Sequence, residues 1–204
     1  MKSFRPLKIL IASGPTREKL DPVRFLSNYS TGAMGKALVT AAKKRRHRVT
    51  WIACPEKAES ARELEKILRD ELPRHDALIM AAAVCDVRPE KFFPSKIKKD
   101  VLSSISLVKN PDILASLAKK KKKGQVFIGF ALESGDLLKN GAEKLKKKKL
   151  EAILLQKVTP KDSPFGDKKI NAVLLRKNGT QIRIQNQPKP RIAELLVREV
   201  ESLF

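Results

Sequence analysis

Short apolar runs alternate with amphipathic segments along most of the chain. The runs at 7–12, 77–84 and 126–131 are apolar on both faces, and apolar residues recur at helical spacing between them. Such strands between helices are typical of a parallel sheet that helices cover on both sides. The pattern therefore predicts a doubly wound α/β fold with a mostly parallel sheet. The predicted strands are 7–12, 48–53, 77–84, 104–108, 126–131 and 151–156, and the predicted helices are 31–46, 56–72, one that begins near 110, 136–149 and 189–203.

The end of the chain departs from this alternation. Two β-forming runs, 171–176 and 181–185, flank Lys177-Asn178-Gly179-Thr180, and Asn-Gly between such runs predicts a hairpin with a tight turn. The predicted order of elements is βαβαβ, a loop over 85–100, βαβαβ, then the hairpin and a helix. The predicted fold is thus Rossmann-like with a C-terminal antiparallel hairpin. Because no linker divides the 204 residues, we expect one domain over 1–204.

Four local features add specific expectations. Asn110-Pro111-Asp112 predicts a helix start, with Asn110 as the N-cap, Pro111 at the first helical position and Asp112 in the first turn. His47 lies within a basic cluster and is expected to be exposed, whereas Trp51 is expected in the core. The two cysteines, Cys54 and Cys85, are expected to be small buried hydrophobic residues.

Composition narrows the class of protein. The chain has 44 Lys and Arg against 22 Asp and Glu, a net charge of +22, which favours anionic partners such as nucleotides, phosphorylated metabolites or nucleic acid. Two cysteines without a CxxC spacing argue against a disulfide framework and a zinc site. No apolar run approaches the roughly 18 residues of a membrane span, and the first residues lack a signal-peptide core. We therefore expect a cytoplasmic protein with reduced thiols.

Candidate chemistry begins after the first strand, where 13–18 and 21–35 lead into a helix start. Their Ser, Thr and Gly residues leave backbone N–H groups free, which suits phosphate. Asn28 offers a donor and an acceptor, and Arg24 offers a cation that can bind a phosphate or carboxylate with two hydrogen bonds. The alternative for this region is an ordinary capped helix behind a long loop.

Three later parts of the chain are also candidates for ligand binding. At 81–86, small residues allow a ligand to approach the backbone, and Asp86 could hold a ribose hydroxyl or Mg²⁺; the KIKK run at 96–99 could fold over a polyphosphate. The helix start at 109–114 could present backbone groups to a ligand. The run at 129–134 precedes Lys144 and Lys148, which share a helix face. The alternatives are a solvated basic loop for 96–99, a plain N-cap for 109–114, core packing for Phe130, and a solvated helix face for the two lysines.

Other functions remain open at this point. The charge alone would suit a basic nucleic-acid-binding protein, although aromatic residues are only 5%, no recognition motif is present and the Lys runs are scattered. A dinucleotide-dependent oxidoreductase would use the same fold. GxGxxG is absent, and the second strand ends in Ala53-Cys54-Pro55, without an acidic residue placed to bind a ribose, which argues against it.

Taken in order, four segments resemble the phosphopantothenate–cysteine ligase family. They are GPTREKLDPVRFLSNYSTGAMG (14–35), AAVCDVRP with KIKK (82–99), VKNPDIL (108–114), and GFALES with the Lys-bearing helix that follows (129–148). The resemblance covers about 8–175. It is to the ligase half of the bacterial bifunctional coenzyme A biosynthesis flavoprotein, so a separate flavin-dependent decarboxylase is the expected partner enzyme.

This resemblance implies a reaction. The carboxylate of 4′-phosphopantothenate attacks the α-phosphate of CTP, with Mg²⁺ present, and pyrophosphate leaves an acyl-cytidylate. The amine of L-cysteine then displaces CMP, a step of coenzyme A synthesis. The family implies a homodimer with the site near the protomer interface, and neither a specific nucleic acid nor a membrane as a partner.

The resemblance also implies roles for residues. Asn28 would hold the acyl-cytidylate and the pantothenate end, Arg24 would support it, and Lys96 would stabilise the triphosphate. The implied nucleotide contacts are Ser30, Gly32, Gly35, Ala82, Asp86, Lys96, Pro111, Asp112, Ile113, Leu114, Phe130, Lys144 and Lys148. The chain departs from the family pattern at Cys85, at Val87, in GFALES, and at Gln156-Lys157, where the family commonly has Asn-Asp.

Overall fold

The computed structural model describes residues 5–100, 103–159 and 164–204, and they form an α/β fold. Its strands are β1 (Lys8–Pro15), β2 (Arg17–Lys19), β3 (Phe25–Ser27), β4 (Arg48–Ala53), β5 (Ala77–Ala83), β6 (Val87–Pro89), β7 (Leu107–Lys109), β8 (Val126–Glu133), β9 (Ala152–Lys157), β10 (Ile170–Arg176) and β11 (Gln181–Gln187). Its helices are α1 (Ala33–Lys44), α2 (Ala61–Glu71), α3 (Ile113–Lys119), α4 (Leu137–Lys147) and α5 (Lys189–Ser202). In the described parts of the chain, no helix is both long enough and apolar enough to cross a membrane.

Seven strands form the central sheet, in the order β11-β10-β9-β8-β5-β1-β4. The five strands from β9 to β4 are parallel, whereas β10 runs antiparallel to β9 and pairs with β11 as the hairpin. The mostly parallel sheet and the C-terminal antiparallel hairpin confirm the predicted fold class. The order of β8, β5, β1 and β4 brings the carboxyl ends of these strands to one edge, where ligands bind in such folds.

Helices cover both faces of the sheet, which explains the fully apolar strands. On β1, Ile9 and Ile11 face α1 and α5, whereas Leu10 and Ala12 belong to the cluster that includes α2, α3 and α4. Alternate residues of each central strand therefore belong to two separate cores. Each fully buried Leu, Ile or Phe side chain contributes about 1.5–3 kcal/mol, so the two cores provide the main stabilisation.

The predicted strand at 104–108 is wrong as a member of the main sheet. Only Leu107–Lys109 is extended, and it pairs antiparallel with β6 in a separate two-stranded sheet. Leu107 is exposed, so this segment lacks the second apolar surface that a central strand requires. A second small sheet, of β2 and β3, was not predicted, because three-residue strands carry too little periodicity.

The predicted N-cap Asn110 is also wrong. The structure has Asp112 as the N-cap of α3, where its side chain accepts a hydrogen bond from the Ala115 N–H at 3.2 Å. Asn110 instead donates through Nδ2 to the Cys85 carbonyl at 2.9 Å, which ties the loop to the end of β5. Pro111 therefore precedes the helix rather than occupying its first turn.

His47 is buried, which contradicts its predicted exposure. Its Nδ1 accepts the Leu7 N–H at 3.1 Å, and its Nε2 lies 2.8 Å from Glu201 Oε1. The preceding Arg46 has a φ of 61°, so the chain turns sharply there and carries the imidazole inward despite its basic neighbours. Cys54 and Cys85 are buried free thiols, as predicted, and Trp51 packs against the core with its Nε1 donating to Ser13 Oγ.

Candidate functional site

A cleft of about 460 Å³ opens at the carboxyl edge of the sheet, beside the ends of β5, β8 and β9. This volume is in the range of small-molecule sites. The cleft brings together residues from all four segments that the sequence singled out. The predicted site residues that line it are Asn28, Ser30, Gly32, Ala82, Asp86, Pro111, Asp112, Ile113, Leu114, Phe130, Lys144 and Lys148.

The start of α1 forms one wall of this cleft. Thr31, Gly32, Ala33 and Met34 line it, and no side chain caps the N-terminus of the helix. Gly32 has a φ of 72°, and a Cβ built on it would lie 3.6 Å from the Cα of Gly14 at the end of β1. The unpaired N–H groups of a helix N-terminus attract anions, so this wall can bind phosphate.

Gly35, a predicted nucleotide contact, is not among the residues that line the cleft. A Cβ on Gly35 would lie only 1.9 Å from Ser13 Oγ, and Ser13 also accepts the indole hydrogen bond of Trp51. The structure therefore gives Gly35 a packing role, because only a glycine lets α1 approach β1 this closely.

Asn28 joins the loop before α1 to the end of β5. Its Nδ2 donates to the carbonyl oxygens of Ala83 and Val84, both at 3.1 Å, where β5 ends. These two bonds use both hydrogens of the amide nitrogen, so Oδ1 is the atom that can accept a hydrogen bond from a ligand. Asn28 thus fixes the loop before α1 against the β5 end, as a substrate-positioning residue requires.

Arg24 and Lys96 do not line the cleft. The Asp21 carboxylate, whose side chain is fully buried, accepts two hydrogen bonds from the Arg24 guanidinium, which holds the pKa of Asp21 well below its usual value. Arg24 also donates to the Ile97 carbonyl at 2.9 Å, and the Ile97 N–H donates to Asp21 at 3.2 Å. Arg24 and Asp21 therefore anchor the loop that carries Lys96.

Lys144 of α4 and Lys148, the C-cap of that helix, form the opposite wall, and each already has an acidic neighbour. Lys144 Nζ lies 2.5 Å from Glu133 Oε1, and Lys148 Nζ lies 3.1 Å from Asp112 Oδ1. Burial disfavours the charged form of Glu133, but hydrogen bonds from Lys144 and Asn140 outweigh it and lower the pKa of Glu133. These pairs hold the two ammonium groups in place along the cleft.

Several lining residues were not assigned to the site from the sequence. They are Gln156 at the end of β9, Phe165 and Gly166 in the loop that follows, and Lys189 at the start of α5. Lys189 is buried and donates to the carbonyls of Gly166 and Lys168, and burial lowers the pKa of its ammonium group. Gln156 stood out as a departure from the family pattern, but no sequence signal indicates that Lys189 reaches this cleft.

Of the described residues that line the cleft, Asp86 and Asp112 are acidic. Asp112 caps α3 and pairs with Lys148, whereas Asp86 can hold a cation. Over 5–100, 103–159 and 164–204, no three His, Cys, Asp or Glu side chains group closely enough to hold a metal ion by themselves. Mg²⁺ in nucleotide sites commonly uses one or two carboxylates together with substrate phosphates, and Asp86 fits that arrangement.

The two thiols are poor nucleophiles. Burial raises the pKa of Cys54 to about 12, and burial also raises the pKa of Cys85, which lines the cleft. Because the thiolate is the reactive form of cysteine, neither residue is prepared for covalent catalysis. The cleft therefore gains no activated cysteine from either thiol.

Both the sequence and the fold of the chain have known relatives. Residues 4–203 match the family model described as the DNA/pantothenate metabolism flavoprotein C-terminal domain. A crystal structure of the C-terminal domain of coenzyme A biosynthesis bifunctional protein CoaBC has a TM-score of 0.79 and 27% sequence identity, and the alignment covers 100% of this chain and 98% of that one.

Two curated relatives match along nearly the whole chain. Coenzyme A biosynthesis bifunctional protein CoaBC of Vibrio parahaemolyticus is 34% identical over 210 residues, which cover 96% of this chain and 52% of that protein. A protein named cysteine/cysteine sulfinic acid decarboxylase, from an unknown prokaryotic organism, is 34% identical over 215 residues, 99% of this chain and 60% of that protein. The chain thus spans little more than half the length of these relatives.

Proposed function

Because the chain belongs to the DNA/pantothenate metabolism flavoprotein C-terminal domain family, we propose that it is a ligase of coenzyme A biosynthesis. In this proposal it joins 4′-phosphopantothenate to L-cysteine while CTP is cleaved to CMP and pyrophosphate. The observation that carries the proposal is the single cleft formed by residues of all four ligase-like segments, with the N-terminus of α1 at one wall and Lys144 and Lys148 at the other.

The electrostatic demands of this reaction match the cleft. CTP carries roughly four negative charges and 4′-phosphopantothenate roughly three, so binding them side by side requires positive groups. The α1 N-terminus supplies unpaired N–H groups, and Lys144 and Lys148 supply two cations. The net charge of +22 raises the local concentration of such anions around the whole protein.

In the first step, the carboxylate oxygen of 4′-phosphopantothenate attacks the α-phosphorus of CTP, and the bond to pyrophosphate breaks. The Asn28 Oδ1 would orient the pantothenate end, and the α1 amides would hold the phosphates. Mg²⁺, when bound, would neutralise triphosphate charge beside Asp86. The loop anchored by Asp21 and Arg24 would bring Lys96 to the triphosphate.

In the second step, the amine of L-cysteine attacks the acyl carbon, loses a proton, and CMP departs with the electron pair of the acyl–oxygen bond. No enzyme nucleophile takes part, in agreement with the raised pKa values of Cys54 and Cys85. Catalysis in this proposal comes from positioning and from charge stabilisation at phosphorus.

The assembly and partner enzyme are also proposals. We expect a homodimer of 22.9 kDa chains, which sedimentation equilibrium would measure as a mass of twice that value. The relatives named as bifunctional proteins are about twice as long as the matched region. We expect a separate flavin-dependent decarboxylase to act on the product.

The test is a product assay by mass spectrometry with purified protein, 4′-phosphopantothenate, L-cysteine, Mg²⁺ and either CTP or ATP. Phosphopantothenoylcysteine with CMP supports the whole proposal, whereas product with ATP alone keeps the ligase and rejects CTP. A protein that binds neither nucleotide but releases CO₂ from cysteine or cysteine sulfinate would instead have the activity in the name of the other relative.

A further inference from the structure

Gln156 carries a buried amide whose nitrogen has no partner. The residue is 7% exposed, and its Nε2 is closed off from solvent without a hydrogen bond to any residue that the structure describes. Unpaired buried donors are rare in folded proteins, since such a group gives up its hydrogen bonds to water and gains none in return. The position of Gln156 therefore needs a reason other than folding.

That reason lies in the cleft, which Gln156 lines. The β8–β9 register pairs Leu132 with Gln156 and Phe130 with Leu154, so Gln156 shares a sheet face with Phe130 and Leu132. The nitrogen and oxygen of an amide exchange places by a half-turn about the terminal torsion. Either a donor or an acceptor of Gln156 can thus face a molecule bound in the cleft.

The sheet order separates Gln156 from the phosphate-binding wall. Gly32, at the start of α1, lies beside Gly14 at the end of β1. The strand β9 is three positions from β1 in the sheet, which at the usual strand spacing is roughly 14 Å. This distance approximates the reach of an extended nucleoside triphosphate from its terminal phosphates to its base.

The surroundings of Gln156 suit a flat ring rather than a phosphate. Phe130, which shares a sheet face with Gln156, and Phe165 both line the cleft, and the Phe165 ring lies 6.4 Å from that of Tyr29. Lys189, a buried cation that lines the same cleft, is already bound to the carbonyls of Gly166 and Lys168. Aromatic faces stack with a base, and a base needs few edge hydrogen bonds for its orientation.

We propose that Gln156 is the nucleobase-contacting residue of the cleft, with its side-chain amide hydrogen-bonded to the edge of the base. The amide can present its oxygen or, after the half-turn, its nitrogen to the cleft, and a base edge with an amino group beside a ring nitrogen, as in cytosine, has a complementary group for each. This inference rests on the proposed nucleotide-dependent function and adds the residue that reads the base.

The matched variants are Gln156→Met and Gln125→Met. Gln125 is 8% exposed, but its amide is satisfied, since it donates to the carbonyls of Leu72 at 2.9 Å and His75 at 2.8 Å and accepts the Lys122 N–H at 2.9 Å. It directly precedes β8, at the edge of the sheet opposite the cleft. Both substitutions replace a buried amide with an apolar side chain of similar length.

Two readouts separate a binding role from a structural one. In Gln156→Met, we expect the thermal midpoint of the ligand-free protein to stay the same or rise, because an unpaired polar group is removed. We expect its Kd for CTP, measured calorimetrically, to rise roughly tenfold, while its Kd for inorganic tripolyphosphate stays unchanged. In Gln125→Met, the thermal midpoint should fall and the Kd for CTP should not change.

Each contrary result overturns the inference. An unchanged Kd for CTP in Gln156→Met, or an equal loss of CTP and tripolyphosphate affinity, excludes a base contact. A thermal midpoint that falls as far as in Gln125→Met assigns Gln156 a structural role. If the wild-type protein binds ATP and not CTP, the same Kd measurements are made with ATP. A wild type that binds nucleotide but forms no product rejects the proposed ligase alone, whereas one that binds no nucleotide rejects both.

Discussion

At the scale of single residues, Asn28 shows how one amide can serve structure and chemistry together. Its nitrogen is committed to the Ala83 and Val84 carbonyls, so the loop before α1 and the end of β5 keep a fixed relation. Its oxygen is left for a ligand. A carboxylate at this position keeps the shape of the side chain, but it removes both donated hydrogen bonds and adds a negative charge beside the ligand.

Asn28→Asp replaces the amide with a carboxylate beside the proposed acyl-nucleotide. We expect pyrophosphate release to continue at a reduced rate, and phosphopantothenoylcysteine yield to fall at least roughly tenfold, because the added negative charge repels the intermediate. Coupled pyrophosphate detection and mass spectrometry measure the two steps separately. Asn178→Asp, in the exposed turn between β10 and β11, is the matched control, and a normal product yield in Asn28→Asp would refute this role.

Lys96 is the residue whose proposed role demands movement, because it does not line the cleft in this structure. In Lys96→Gln, we expect pyrophosphate release to fall at least roughly a hundredfold, since the triphosphate loses a cation in the transition state. Stopped-flow pyrophosphate detection measures this rate. Lys99→Gln removes the same charge from the same loop, and equal losses in both variants would show that only the total charge of the loop matters.

At the scale of elements, the loop with Lys96 is held by a small number of identifiable contacts. The Phe93 N–H donates to the Leu20 carbonyl, and Ile97 is bound on both sides of its peptide by Asp21 and Arg24. These contacts fix the loop to the segment between β2 and β3. The loop is therefore positioned by side chains that are far from it in the sequence.

Arg24→Gln should free this loop without unfolding the sheet. We expect trypsin to cleave after Lys96, Lys98 or Lys99 at least roughly tenfold faster than in the wild type, because the loop then opens without breaking the Arg24 hydrogen bonds. Mass spectrometry of the early fragments identifies the cleaved bonds, and Arg183→Gln on β11 is the control. Cleavage at an unchanged rate would show that Arg24 does not anchor the loop.

At the scale of the whole molecule, the C-terminal helix is tied to the rest by an ionic cluster. Glu201 accepts two hydrogen bonds from Arg45 and lies beside His47, which joins α5 to the turn after α1. Burial disfavours the charged Glu201, but the hydrogen bonds from Arg45 and His47 prevail and lower its pKa. The cluster therefore stabilises the folded state only while Glu201 is ionised.

The direction of this pKa shift determines how the stability depends on pH. A lowered carboxyl pKa gives stability that is fully present above the ordinary Glu pKa of about 4.3 and is lost as the pH falls through the folded-state value. We expect Glu201→Gln to lower the free energy of unfolding by about 1–2 kcal/mol at pH 7, with the difference from wild type shrinking below about pH 4.5. Urea titrations across this range measure it, and a difference that grows in acid would contradict the assignment.

The net charge of +22 also has a consequence at this scale. We expect weak binding to DNA of any sequence, with an affinity that falls steeply as salt rises, because the contacts release counterions. Fluorescence anisotropy with two unrelated duplexes measures this between about 50 and 200 mM salt. Retention of one sequence over the other at the higher salt would revive the nucleic-acid-binding alternative.

How much the sequence predicts depends on how far apart along the chain the interacting residues lie. The parallel sheet, the hairpin at Asn178-Gly179 and most lining residues follow from local apolar patterns and motif order. The anchoring of Ile97 by Asp21, the inward turn of His47 and the reach of Lys189 depend on contacts between distant segments. Gly35 has a motif position that suits phosphate, but its close approach to Ser13 became visible only in three dimensions.

In the proposed reaction, the cleft activates the substrate carboxylate as an acyl-nucleotide without an enzyme nucleophile. The most direct measurement is a reaction without cysteine, in which protein, 4′-phosphopantothenate, CTP and Mg²⁺ are quenched and analysed by mass spectrometry. We expect phosphopantothenoyl-cytidylate and pyrophosphate in amounts equal to the number of protein sites, with no covalent change to the protein. Formation of CDP and phosphate, or a phosphopantothenoyl adduct on the protein, would contradict it.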